Sequence, residues 1–96
     1  MSFKLVFTDS YNRAALRWLK KHGDLTTQYL KTLKLLEANP HHPSLRMHVL
    51  KGRFSGLYSV SINISYRITL EFLIREEEII LINVGDHDQI YSVLIK

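Results

Sequence analysis

The chain has 96 residues, 46% of them apolar and 23% charged, with no cysteine and a formal net charge of +4. That length suits one domain over residues 1–96, and that balance excludes disordered and fibrous classes. The absence of cysteine excludes disulfide scaffolds and thiolate metal sites and favours a reducing, cytoplasmic setting. The opening MSFKLVFTDSYNR holds no long apolar run, and no later run approaches the ~20 apolar residues that span a bilayer, so a membrane is not expected as a partner. A positive charge on so small a surface favours acidic partners, nucleic acid first, because phosphate neutralisation supplies most non-specific affinity.

In FKLVF, Phe3, Leu5 and Phe7 alternate, which predicts a first strand. Thr8, Asp9 and Ser10 then offer helix N-cap side chains. Tyr11, Ala14, Ala15, Trp18 and Leu19 follow at the spacing of one helical face, while Arg13, Arg17, Lys20 and Lys21 fall outside it. Gly23 is expected to end this helix and Asp24 to cap a second one running to about Ala38, with Leu25, Tyr29, Leu33 and Leu36 as its buried stripe. NPHHP stops that helix, and His41 and His42 read as a surface turn. An irregular stretch, LRMHVLKGRFSG, leads into YSVSINI, where Tyr58, Val60, Ile62 and Ile64 face one way and Ser59, Ser61 and Asn63 the other. YRITLEFLI repeats the device, with Tyr66, Ile68, Leu70, Phe72 and Ile74 opposite Arg67, Thr69 and Glu71. After the charged turn REEE, IILINVG predicts a last strand with Ile80, Ile82 and Val84 on one face and Asn83 on the other; the tail QIYSVLIK fits a short helix or a strand equally.

The expected architecture is α+β, in the order β-α-α-β-β-β, with a helical hairpin packed on one face of an antiparallel sheet. The opposite face should be polar and solvated, formed by Ser59, Ser61, Asn63, Arg67, Thr69, Glu71 and Asn83. His87 follows the last strand and its glycine, and His48, Lys51 and Arg53 precede YSVSINI, so all can reach the rim of that face. Cleaving RNA without a metal needs a base for the 2′-hydroxyl, a cation for the charge on phosphorus and an acid for the leaving 5′-oxygen. His87, Arg67 and Tyr91 match these roles by type. The same residues also suit a loop histidine, a solvated strand arginine and a packing tyrosine. PHHP and DHD lack further ligands at a metal-site spacing, so no metal or other cofactor is expected. Asp86 and Asp88 read as turn solvation around His87.

The helical hairpin, then HVLKGRFSGLYSVSINISYRITLEF, then INVGDHDQIY, resembles the RelE/ParE superfamily of toxins from toxin–antitoxin pairs, especially its RelE-like and YafQ-like messenger RNA endonucleases. The resemblance covers nearly the whole chain. It implies a small basic protein that enters the ribosomal A site, cuts messenger RNA there and is held inactive by a cognate antitoxin. On it, His87 sits where YafQ-like members have a catalytic histidine, Tyr91 matches the aromatic near the C-terminus, Arg67 the strand arginine on the phosphate, and His48 a histidine before the glycine loop. Arg46, Lys51 and Arg53 are the expected RNA-phosphate contacts. The chain departs from the family at Ser59 and Ser61, where RelE-like toxins carry lysines, and at Ser61 and Ser65, where YafQ-like members carry a histidine and an aspartate. A ParE-like inhibitor of DNA gyrase and a catalytically inactive antitoxin-binding member are the competing expectations.

Overall fold

The structure, a computed structural model, describes residues 2–50, 56–73 and 75–86. Strand β1 (Lys4–Phe7) leads into helix α1 (Asp9–Lys21), whose start is fixed by Thr8: its Oγ1 accepts from the Tyr11 N–H at 3.1 Å and donates to the Leu81 carbonyl at 3.1 Å. One side chain thus caps the helix and pins it to the last strand of the sheet. Asp9 in the first turn and Lys20 and Lys21 in the last complement the helix dipole. Tyr11, Ala15 and Trp18, spaced by four and three residues, are its buried positions.

The joint to the second helix differs from expectation. Gly23–Leu25 form a 3₁₀ turn in which the Leu25 N–H bonds to the His22 carbonyl at 2.9 Å, and helix α2 (Thr26–Ala38) starts directly from it. Asp24 therefore does not cap α2; Leu25 holds the cap position without a side-chain bond, and Thr26 Oγ1 donates back to the Gly23 carbonyl at 2.8 Å. Of the predicted stripe, Tyr29, Leu33 and Leu36 are buried, joined by Thr32, whose hydroxyl is satisfied by the Gln28 carbonyl at 2.9 Å, while Leu25 precedes the helix and is half-buried.

A second 3₁₀ turn, Pro43–Leu45, precedes a short strand β2 (His48–Val49) that the sequence did not reveal. Strands β3 (Leu57–Ser61), β4 (Tyr66–Leu73) and β5 (Glu78–Asp86) complete a five-stranded sheet of order β1-β5-β4-β3-β2. The sheet is mixed rather than purely antiparallel, because β1 lies parallel to β5 at its edge. Strand β3 ends sooner than the alternation implies: Ile62–Ser65 form the turn to β4, Asn63 Oδ1 accepts from the Ser65 and Tyr66 N–H groups, and Ile64 is 96% exposed.

Strand β5 also departs from its predicted faces. Thr69 pairs with Asn83 but Leu70 pairs with Leu81, so Ile82 is an extra residue bulged out of the ladder. The bulge exchanges the faces on either side of it. Ile79, Leu81 and Val84 are buried against the helices, whereas Ile80 and Ile82, expected beside Val84, are only half-buried. With Val60, Ile62, Ile68 and Leu70 they close the core around Tyr11, Trp18, Leu33, Leu36 and Leu45.

Inside that core the Tyr11 and Tyr29 hydroxyls meet at 2.7 Å, joining α1 to α2. Burial pushes the Tyr11 hydroxyl far above the ordinary phenol range, helped by the charge and hydrogen bond of Tyr29; burial also raises Tyr29, with the bond from Tyr11 pulling the other way. Tyr11→Phe should cost about 1–2 kcal/mol by orphaning the Tyr29 hydroxyl, and Tyr11→Phe/Tyr29→Phe should recover part of that loss. The folded state favours the neutral phenols. Their contribution is therefore complete below the unfolded pKa of about 10 and falls as pH rises above it, by up to ~1.4 kcal/mol per pH unit for each proton lost on unfolding. Denaturant midpoints measured from pH 8 to 11 should show this loss in the parent and a flatter profile in the double variant, pH values chosen to bracket the ordinary phenol pKa of about 10.

Candidate functional site

Residues directly opposite one another on paired strands share a face. On the face away from the helices, one row across the sheet runs His48, Ser59, Thr69, Asn83, and the next runs Ser61, Arg67, Gly85. His48 and Arg67, expected near one another, are brought to the same face by the pairing of β2 with β3 and of β3 with β4.

This face is not the solvated surface expected. Ser59 and Thr69 are fully buried and Arg67 is 7% exposed; Ser61, Asn63, Glu71 and Asn83 are half-buried. Two features of the described residues contribute. Strand β2 flanks β3, which removes Ser59 from an open edge, and Arg67 lies along the face instead of standing out from it. Its Nε donates to Ser59 Oγ at 2.9 Å, and its Nη2 donates to the Ser59 carbonyl at 3.1 Å and the Arg46 carbonyl at 2.7 Å. A buried guanidinium requires such partners, since desolvation otherwise outweighs what burial gains.

The Arg46 carbonyl belongs to a strained residue. Arg46 follows the turn Pro43–Leu45 in the left-handed region, at φ 46° and ψ 53°, a conformation that costs a non-glycine residue roughly 1 kcal/mol. It sends the chain into β2, and Arg67 grips it from the sheet. Arg67 thereby positions the segment that carries His48, whose side chain is exposed beside Ser59. The Arg46 side chain is likewise exposed.

Among the described residues, no three His, Asp or Glu side chains gather as metal ligands. Asp86 pairs with Tyr66 and so lies on the helix side of the sheet, away from the Arg67 row. His87, Tyr91, Lys51, Arg53, Asp88 and the tail QIYSVLIK lie outside the described residues. Sequence reasoning treated Ser59 as a missing lysine and overlooked it as a partner for Arg67. The signal was available, because strict alternation placed both on one face of adjacent strands.

The fold is that of known toxins. A structure of a YafQ mutant from E. coli superposes with a TM-score of 0.77, covering 93% of this chain and 98% of that one at 14% identity. A YoeB/ParE toxin from Agrobacterium tumefaciens gives a TM-score of 0.72 over 88% of this chain and 99% of that one, at 19% identity. A chain of the E. coli DinJ-YafQ toxin-antitoxin complex gives 0.75 over 95% and 99%, at 12% identity. No family model and no curated protein matches the sequence, so the likeness is one of fold. The resemblance to RelE/ParE toxins read from sequence motifs and the architecture agree.

Removing the Ser59 hydroxyl takes an acceptor from a buried charged donor, so Ser59→Ala should cost about 1–3 kcal/mol and lower Tm by roughly 5 °C or more. Thr69 Oγ1, in the same row, is buried without a hydrogen-bond partner among the described residues. Thr69→Val should therefore be neutral or raise Tm in the same calorimetric comparison.

Proposed function

We propose that this chain is the toxin of a type II toxin–antitoxin pair and acts as a ribosome-dependent, metal-independent messenger RNA endoribonuclease in the cytoplasm. The observation that carries this reading is a likeness of fold to YafQ over nearly the whole of both chains, combined with a polar sheet face that carries both His48 and Arg67. In this reading His87 serves as the general acid or base. Tyr91 acts on or stacks near the scissile nucleotide, and His48 stands at the edge of the same face. Arg67, being buried, works by holding the Arg46–His48 segment in place and by lending its charge to the face. Arg46, Lys51 and Arg53 take RNA phosphates.

The chemistry balances without a cofactor. A base removes the 2′-hydroxyl proton, the oxygen attacks phosphorus, the 5′-oxygen leaves with a proton from the acid, and the cations hold the charge that builds on the phosphoryl oxygens. One neighbour was solved as a toxin–antitoxin complex, which supports an antitoxin as partner. An apolar groove between α2 and the β3–β4 turn, lined by Leu35, Leu45 and Ile62 with Lys31 and Lys34 beside them, suits an amphipathic acidic segment of such a partner. No described helix is long and apolar enough to cross a membrane.

Induction in a bacterial host should stop incorporation of labelled amino acid within minutes while plasmid supercoiling stays unchanged, and His87→Ala should lower message cleavage roughly 10²-fold or more. Loss of supercoiling ahead of protein synthesis would instead establish the gyrase-inhibitor reading. Growth without arrest would leave an antitoxin-binding protein with no activity.

A further inference from the structure

The NPHHP turn, a mere helix stop in the sequence, forms one wall of a groove at the β2 edge of the sheet. His41, His42, Arg46, Met47, Val49 and Tyr58 line a space of about 370 Å³, within the size range of small-ligand sites. Its floor is preorganised. The His41 ring packs parallel to Phe72 in an offset stack, with centroids 5.7 Å apart and planes at 19°, and Phe72 is itself held edge-on by Phe3 at 5.0 Å and Tyr58 at 6.0 Å. His41 is exposed, so it ends an aromatic stack whose far end is anchored in packed side chains.

The polar groups of the groove suit a phosphate. His42 Nδ1 lies 3.2 Å from the Ser44 N–H and 2.9 Å from Ser44 Oγ. Accepting the backbone N–H leaves the neutral ring its proton on Nε2, as a donor. Arg46 adds a permanent cation whose backbone is fixed by Arg67. An exposed flat ring with a cation and a second donor beside it is the combination by which proteins hold single-stranded nucleic acid, through base stacking and phosphate contact.

We propose that this edge groove is a binding subsite for one nucleotide of single-stranded RNA, with the base stacked on His41 and a phosphate held by Arg46 and the His42 Nε2–H. It rests on the reading of the chain as an RNA-acting toxin, and extends it to RNA beyond the cleaved position. The outer-face site and this groove flank the same short strand: His48 opens onto one side of β2 and Val49 onto the other. An RNA strand leaving the outer face can therefore turn over the sheet edge into the groove.

Fluorescence anisotropy with a labelled single-stranded hexaadenylate, without ribosomes, tests this directly. His41→Ala should weaken binding about tenfold or more, and His41→Phe, which keeps a flat ring, should bind like the parent. Arg46→Gln should reduce the slope of log affinity against log salt by about 0.7, the share of one phosphate on a single strand. Unchanged binding in His41→Ala and Arg46→Gln, equal weakening by His41→Ala and His41→Phe, or a parent that does not bind the oligomer each overturns the subsite. Cleavage is not read in this assay. Paired with message cleavage by the parent in a translation reaction, the two readings fail separately: intact message with oligomer binding retained sinks the endoribonuclease reading alone, and cleaved message with binding indifferent to His41→Ala sinks the subsite alone.

Discussion

The organisation of the outer face depends on where one buried guanidinium finds its hydrogen bonds. Arg67 sits on the central strand β4 and is almost wholly removed from water, so its donors must be met within the protein. Ser59 meets Nε and part of Nη2 from the next strand, and the Arg46 carbonyl meets Nη2 from the segment beyond. That last bond has the widest consequence. It holds a left-handed residue in place, and through it the path by which the chain enters β2 and displays His48. A lysine at position 67 could not repeat this, because a single ammonium lacks the planar fork that reaches an oxygen on the adjacent strand and another beyond it.

Much of this architecture was legible in the sequence, and what was hidden has physical causes. Alternation in Tyr58–Ile62 and Tyr66–Phe72 gave the faces of β3 and β4 correctly, since both strands keep a period of two through their buried stretch. It misled in β5, where the bulge at Ile82 shifts the phase, and no residue type in IILINVG marks the position. Two residues of β2 are too few to show any period. Its existence depends on pairing with β3 and on Arg67, both distant in sequence. The parallel contact of β1 with β5 is likewise a long-range event that a local pattern does not contain.

The candidate site was legible in a different proportion. The sequence put Arg67 and His48 at one polar face, and the pairing of β2, β3 and β4 sets both on it. Exposure was the part it could not supply: polarity at alternate positions reports which way a side chain points, not what lies over it. Ser59 and Thr69 read as solvated and are fully buried. His41 and His42 show the converse. Their neighbours in sequence made them a turn, and only the fold sets them beside Phe72, Tyr58 and Arg46. Ser59, which the sequence resemblance set against a lysine, instead serves the buried arginine, and the exposed cation at this edge among the described residues is Arg46.

The function proposed for this chain is cleavage of messenger RNA on the ribosome. Its most direct test is to map the 5′ ends of a defined message in a reconstituted translation system, with and without ribosomes, using the parent and His87→Ala. The account predicts cuts inside codons that require ribosomes and vanish with the imidazole. A message left intact by the parent, or cut equally when ribosomes are omitted, would contradict it.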